Sequence, residues 1–468
     1  MSYKKGFFIT TLVVTLALAS FFYFSRKSAV QPNDHETVAF NKVLVNIGVT
    51  QSAPLLIERP SEFETLGQSK QPLHKAAYLA ASGKYVEADE ILSGYSPLSG
   101  EELVTCLLKA TISTQIGKLD EALSDLELAS NLEPDNTYIL RQRANLCLQQ
   151  NKNSIGIALA DKALALDKAK KTGAIPISKD LRLQFGCLRL QDPSGSQLPR
   201  CEQIARSAIE VLEKSGGNGP EAKLELVYSY NTLSEAIGLQ PEKDPAIAFE
   251  NAEKGFRIAI EFDTSQYDVA FLPGKLACVN NMLAATFHAQ GEECKKLFAT
   301  VKPLYNSLLP RLATCSDQGS KARGDVMDCV AAYIGSSIKL HQKSDIPLSA
   351  NLLLKLCSSQ DQESSATSAA FHALGEYYRD NADFNQSVIY FDKASASASR
   401  FLNGPTYCRD LLDSARDYLQ LGKKEQAKSR IETVIAKVKS DIPATYSKTK
   451  TYKDAVQLAS SSGLTLAK

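Results

Sequence analysis

Between Ser69 and Asn136 apolar residues recur at helical spacing in runs interrupted by short polar turns, and the same helical hairpin is predicted twice. Gly83-Lys84-Tyr85-Val86-Glu87-Ala88 reappears 34 residues later as Gly117-Lys118-Leu119-Asp120-Glu121-Ala122. A weaker third copy follows after another 34 residues, at Asn151, Asn153 and Gly156. A constant period of this size marks a stack of helical repeats, in which each hairpin buries its apolar face against the next.

From 178 to 360 the period loosens while helical patterning persists, in Leu181–Leu190, Cys201–Glu213, Glu221–Leu239, Ala246–Glu261, Lys275–Gln290, Glu293–Leu312, Arg323–His341 and Leu348–Leu356. Turn clusters such as Gly216-Gly217-Asn218-Gly219-Pro220 separate them. Four hairpins with wider spacing are expected there. The regular signal returns between 361 and 440, and Tyr452–Ser460 is expected to close the open end as a last helix.

The N-terminus has a different pattern. Gly6 to Phe24 is uncharged and mostly apolar, flanked by Lys4 and Lys5 before and Arg26 and Lys27 after. Nineteen such residues span about 28 Å as a helix, close to the hydrocarbon thickness of a bilayer. Ala17-Leu18-Ala19 offers a signal-peptidase pattern, but Phe21 to Phe24 extend the apolar run, so residues 1–27 are predicted to be an uncleaved transmembrane signal-anchor. No cysteine occurs in the first hundred residues, which excludes a bacterial lipoprotein anchor. The flanking charges favour a cytoplasmic N-terminus, so the expected product is a single-pass protein of a bacterial cell membrane with its bulk extracytoplasmic. Residues 28–68, broken by Pro32, Pro54 and Pro60, read as a linker, with Val38–Ile47 apolar enough for one short element.

The hairpin resembles the tetratricopeptide repeat (TPR). With Leu103 as position 1, Ala110 falls at position 8, Gly117 at 15, Leu119 at 17, Ala122 at 20, Leu126 at 24, Ala129 at 27 and Pro134 at 32. Small residues at 8, 20 and 27 allow close helix approach, and the glycine and proline end the two helices. Phe371, Leu374, Gly375, Tyr378, Phe384, Phe391 and Ala394 fit a further unit, and Leu411, Ala415, Tyr418, Gly422 and Ala427 a last one. Cys106, Lys109 and Ser113 depart from the large apolar residues the family prefers at positions 4, 7 and 11, and the third copy has Gly156 at position 20 and Lys168 in place of the proline. The resemblance implies an all-α fold: a right-handed superhelical solenoid of TPR-like hairpins, here preceded by one transmembrane helix. Its segments are TPR-like repeats at 69–177, diverged helical hairpins at 178–360, TPR-like repeats at 361–440 and a capping segment at 441–468.

The resemblance also implies a partner-binding groove on the first helix of each hairpin. The candidate residues are Leu73, His74, Leu107, Leu108, Tyr138, Arg141, Gln142 and Asn145 near the N-terminus, with His372, Glu376, Arg379 and Arg416 near the C-terminus. Packing between repeats competes as an account of Leu107 and Leu108, and plain solvation as an account of the charged C-terminal set. Leu73, Ala77, Leu108, Tyr138 and Gln142 stand where chaperone-tail receptors place a carboxylate clamp, so that clamp is missing.

Composition and charge narrow the function further. A formal net charge of +1 provides no field to attract nucleic acid. The ten cysteines form no CxxC pair, and neither HExxH, GxSxG nor a P-loop occurs, so no metal, cofactor or catalytic group is expected. The pairs Cys187/Cys201, Cys278/Cys294 and Cys315/Cys329 could face each other across hairpins, although buried free thiols are the preferred reading. The expected function is a non-enzymatic, membrane-anchored scaffold that binds a protein or peptide segment. Two alternatives are a helical ligand-binding or catalytic domain at 178–360, and a secreted soluble form produced by signal cleavage.

Overall fold

The computed structural model describes residues 34–50, 63–192, 195–263, 266–314, 320–342, 344, 346–358, 365–400, 404–441 and 446–466. The predicted span at 6–24 lies outside them, and no helix among the described residues is long and apolar enough to cross a membrane. The described residues form helices and no strands. The chain divides into two compact units, Met1–Glu225 and Leu226–Lys468.

The first unit begins with α1 (Asp34–Asn46) and the short α2 (Phe63–Gly67). Four hairpins follow: α3 (Pro72–Ala81) with α4 (Tyr85–Ser93), α5 (Glu102–Gln115) with α6 (Leu119–Leu132), α7 (Thr137–Gln149) with α8 (Asn153–Lys170), and α9 (Ala174–Gln191) with α10 (Leu198–Lys214). Within the unit, each hairpin also packs on the next. The division between units falls within α11 (Pro220–Gly238).

In the second unit, the C-terminal part of α11 pairs with α12 (Pro245–Ile260), as the Ser234 hydroxyl donating to Ala248 O at 2.7 Å shows. Then come α13 (Asp268–His288), α14 (Gly291–Thr314), α15 (Ser320–Lys339), α16 (Ile346–Ser358), α17 (Ser365–Asp380), α18 (Phe384–Arg400), α19 (Gly404–Gln420) and α20 (Lys424–Asp441). The first helices α13, α15 and α17 pack directly on one another in sequence. The last described helix, α21 (Lys450–Ser461), buries Ala455 and Ala459 against α19 and α20. Each helical stretch read from the middle of the sequence corresponds to one helix, α9 to α16.

The small residues act at the crossings. Ala88, Ala122 and Ala427 at position 20, and Ala129, Ala163 and Ala394 at position 27, are completely buried. Gly156 is required by contact: a Cβ there would lie 2.6 Å from the Cys187 sulfur. Gly375 lies equally close under the Phe391 ring, where a Cβ would come within 2.8 Å.

Position 15 is the most regular feature. Gly83, Gly117, Asn151, Ala382 and Gly422 occupy it, and all adopt left-handed φ, at 78°, 80°, 57°, 59° and 69° respectively. The next residue's N–H then returns to a carbonyl of the helix just ended, as in Lys84 to Leu79, Lys118 to Ser113, Lys152 to Cys147, Asp383 to Tyr378 and Lys423 to Tyr418. Asparagine tolerates this conformation, whereas alanine is strained in it. Ala382→Gly is therefore expected to stabilise the protein by roughly 1 kcal/mol, read as a higher urea midpoint at unchanged slope.

The short element expected at Val38–Ile47 is a helix, Asp34–Asn46, and Ala39, Phe40, Val43, Leu44 and Val49 are buried in the same apolar core as the first three hairpins. The chain turns back after the helix, with Val49 N–H donating to Leu44 O at 2.8 Å. The pairings Cys187/Cys201 and Cys278/Cys294 are not formed, and Cys329 is also free; Cys315 lies outside the described residues. Burial pushes the Cys187 thiol up to about 11, which suits an inert core residue.

Candidate functional site

The groove expected on α3, α5 and α7 is already occupied by the chain's own N-terminal segment. Leu73, His74, Leu107 and Leu108 are buried, so they are not available as an open binding surface. The Phe40 ring of α1 stacks on the His74 imidazole at 4.2 Å between centroids. Leu73, Ala77 and Ala80 of α3 share the apolar core with Phe40, Val43 and Leu44. Beyond α1, the Tyr138 hydroxyl on α7 donates to the backbone carbonyl of Gly48. The same hydroxyl accepts from the Gln142 amide at 2.8 Å.

What remains of the groove lies between α5 and α7. Val49, Leu107, Leu126 and Leu146 form the apolar part of a cleft of ≈ 40 Å³, and Thr111, Thr114, Gln142 and Asn145 form its polar part. That volume suits a few waters rather than a side chain. Thr111 and Thr114 donate to their own helix, to Leu107 O at 2.9 Å and Ala110 O at 2.7 Å, leaving their oxygens able to accept. Asn145 is exposed, and its amide makes no hydrogen bond among the described residues.

Arg141, predicted as a groove residue, serves the interior instead. Its guanidinium pairs with Asp167 of α8 and, at 2.6 Å, with Asp180 of α9. The arginine side chain is 14% exposed and the two carboxylates at most 1%. One charge is thus shared between two buried anions, and Asp167 Oδ1 and Asp180 Oδ2 have no hydrogen-bond partner among the described residues. Burial pushes the Asp180 carboxyl up to about 6 against the opposing pull of Arg141.

The C-terminal candidates are also joined, within the second unit. His372 Nδ1 lies 2.8 Å from Asp410, and its Nε2 lies 3.5 Å from Glu376. Burial alone would lower the imidazole pKa, but Asp410 and Glu376 outweigh it and bring the value to about 9. Arg379 pairs with Asp417 at 2.8 Å and Asp413 at 3.1 Å, donates to Asp413 O at 2.7 Å, and lies over the Phe391 ring at 4.4 Å. Arg416 pairs with Asp413 at 2.7 Å and is the most exposed member. The charged face, offered by the sequence either as a binding surface or as plainly solvated, is largely a set of ion pairs between α17 and α19.

These pairs follow a rule that the repeat register alone does not show. A basic residue on one first helix meets an acid on the next first helix, at separations of 39 residues for Arg141–Asp180, 43 for Arg182–Glu225 and 38 for both His372–Asp410 and Arg379–Asp417. In α11 and α13, separated by 50 residues, Asn231 and Asn281 make a neutral version at 2.9 Å.

No protein-family model matches the chain, and no curated protein matches it. Among solved structures, the TPR domain of P58(IPK) is 13% identical, covering 86% of this chain and 99% of that one, with a TM-score of 0.21. The Cut9–Hcn1 hetero-tetramer of the APC/C gives 12% identity, coverage of 95% and 96%, and a TM-score of 0.27. Yeast Tom70 gives 14%, 87% and 96%, with a TM-score of 0.24. The stacked helical hairpins are defined by the chain's own helix-to-helix packing.

Proposed function

We propose that the protein is a non-enzymatic, membrane-anchored scaffold that binds a segment of a protein partner on the face made by α3, α5 and α7. Residues 6–24 hold it in a bacterial cell membrane, with the helical units outside the cytoplasm. The observation that carries this reading is the polar edge beside Val49. Thr111, Thr114, Gln142 and Asn145 gather there, and the exposed Asn145 amide has neither donor nor acceptor engaged among the described residues. Such an edge can hydrogen-bond the backbone of an incoming segment. Tethering to a membrane would raise the effective concentration of the partner there.

Affinity capture with the full-length chain tests the site. A partner recovered by the wild type is expected to bind at least about tenfold more weakly to Gln142→Ala/Asn145→Ala, equivalent to roughly 1.4 kcal/mol. Equal binding would move the interaction off this edge. Arg141 and Leu107 are unsuitable probes, since both are structural. Alkaline carbonate extraction tests the anchor: the full chain is expected to remain with membranes and a chain lacking residues 1–27 to be released. A soluble mature form beginning after Ala19 would overturn the anchor.

A further inference from the structure

The N-terminal segment is placed as a ligand of such a face would be placed. Ala39, Phe40, Val43 and Leu44 form one stripe of α1, and Val49 follows after the Gly48 turn; all five are buried with α3 and α5 residues. The ring stack on His74 and the hydrogen bond from Tyr138 tie the segment to the first and third hairpins. We propose that residues 34–50 are an internal ligand of this face, displaced by a partner segment with the same anchor pattern. That pattern is an aromatic residue, aliphatic residues three and four positions later, and another aliphatic residue nine positions later.

The sequence of α1 supports reversible docking over a permanent cap. Thr37, Val38, Val43 and Val45 are β-branched, Asn41 and Asn46 are weak helix formers, and a helix of 13 residues is too short to persist alone. Its helical form is therefore supplied largely by the surface beneath it. The hairpins below do not depend on it for their own pairing: α3 packs on α4, α5 on α6 and α7 on α8. When α1 leaves, Leu73, Ala77, Ala80 and Leu107 become the apolar strip that an amphipathic helix requires. The segment thus closes the face until a competitor of matching chemistry arrives.

The regulatory consequence rests on this face being the partner surface, but the docking equilibrium can be measured without any partner. Native-state hydrogen exchange on the full chain is expected to show α1 amides protected at least tenfold less than those of α5 and α7. Exchange of α1 together with α5 would overturn the proposal by making α1 an integral cap. A labelled peptide of residues 34–50 is also expected to bind Phe40→Asp/Leu44→Asp at least tenfold more tightly than the wild type. Equal binding to both would overturn it as well. Should the double variant fail to fold, the exchange comparison on the wild type decides alone. Loss of partner sensitivity to Gln142→Ala/Asn145→Ala with both results intact would overturn only the partner site.

Discussion

Arg141→Ala is expected to be the most damaging single substitution in the first unit, costing about 3–5 kcal/mol, as removal of one member of a buried ionic group does elsewhere. The guanidinium serves Asp167 and Asp180 together, and both carboxylates are sealed from solvent. Without it two buried anions lose their counter-charge, and each already has one oxygen without a partner among the described residues. Adding Asp180→Asn to Arg141→Ala should therefore recover part of the loss. The pH dependence has a definite sign. Asp180 is raised to about 6 in the folded state, so the folded state binds its proton more tightly than the unfolded state does. This carboxyl thus lowers stability as pH rises from about 4 to about 6, and acidification through that window relieves the cost. In Arg141→Ala the arginine's opposing pull is gone, so lowering the pH from 7 to 5 should favour the folded variant more than it favours the folded wild type. Urea unfolding at pH 5 and pH 7 measures both effects.

His372 predicts the opposite slope in the second unit. Its folded pKa of about 9 lies above the ordinary 6.5, so its contribution is complete below pH 6.5 and is lost as pH rises through 9. The interval corresponds to roughly 3 kcal/mol, an upper figure for a ring facing both Asp410 and Glu376 with Arg409 nearby. His372→Gln is expected to unfold more readily than the wild type at pH 6.5 and nearly equally at pH 9.5. A difference that stays constant across this range would mean that the imidazole is neutral in the folded protein.

The hairpins could be read from sequence because their causes are local. Glycine at position 15 and alanine at positions 20 and 27 serve turns and crossings within one unit, so a 34-residue period exposes them. Even the irregular middle kept its helices visible, since each retained an apolar face and bounding turn residues. The occupied groove was hidden because α1 has weak helix propensity and is followed by Pro54 and Pro60, features that also describe a tether. Its stability comes from residues such as His74 and Tyr138, 34 and 90 positions away from the groups they touch. Arg141 was misread for a related reason. Its position in the repeat faces the groove, but its acids lie 26 and 39 residues later. A basic residue on one first helix with an acid about 39 residues on was the available signal, and it requires the register of both helices. Position alone therefore identified a face but not whether that face was open.

The ion pairs between successive first helices also bear on how such an array can change over time. Repeats joined only by apolar contact can be duplicated, deleted or exchanged, because any unit offers its neighbour much the same surface. Here Arg141 requires the acid on α9, and His372 and Arg379 require those on α19. Removing the α9–α10 hairpin would leave Arg141 without Asp180, and exchanging the last two hairpins would separate Asp410 and Asp417 from their cations. These hairpins are thus each addressed to a particular neighbour, and where such pairs occur the order of units is fixed by charge as well as by covalent sequence.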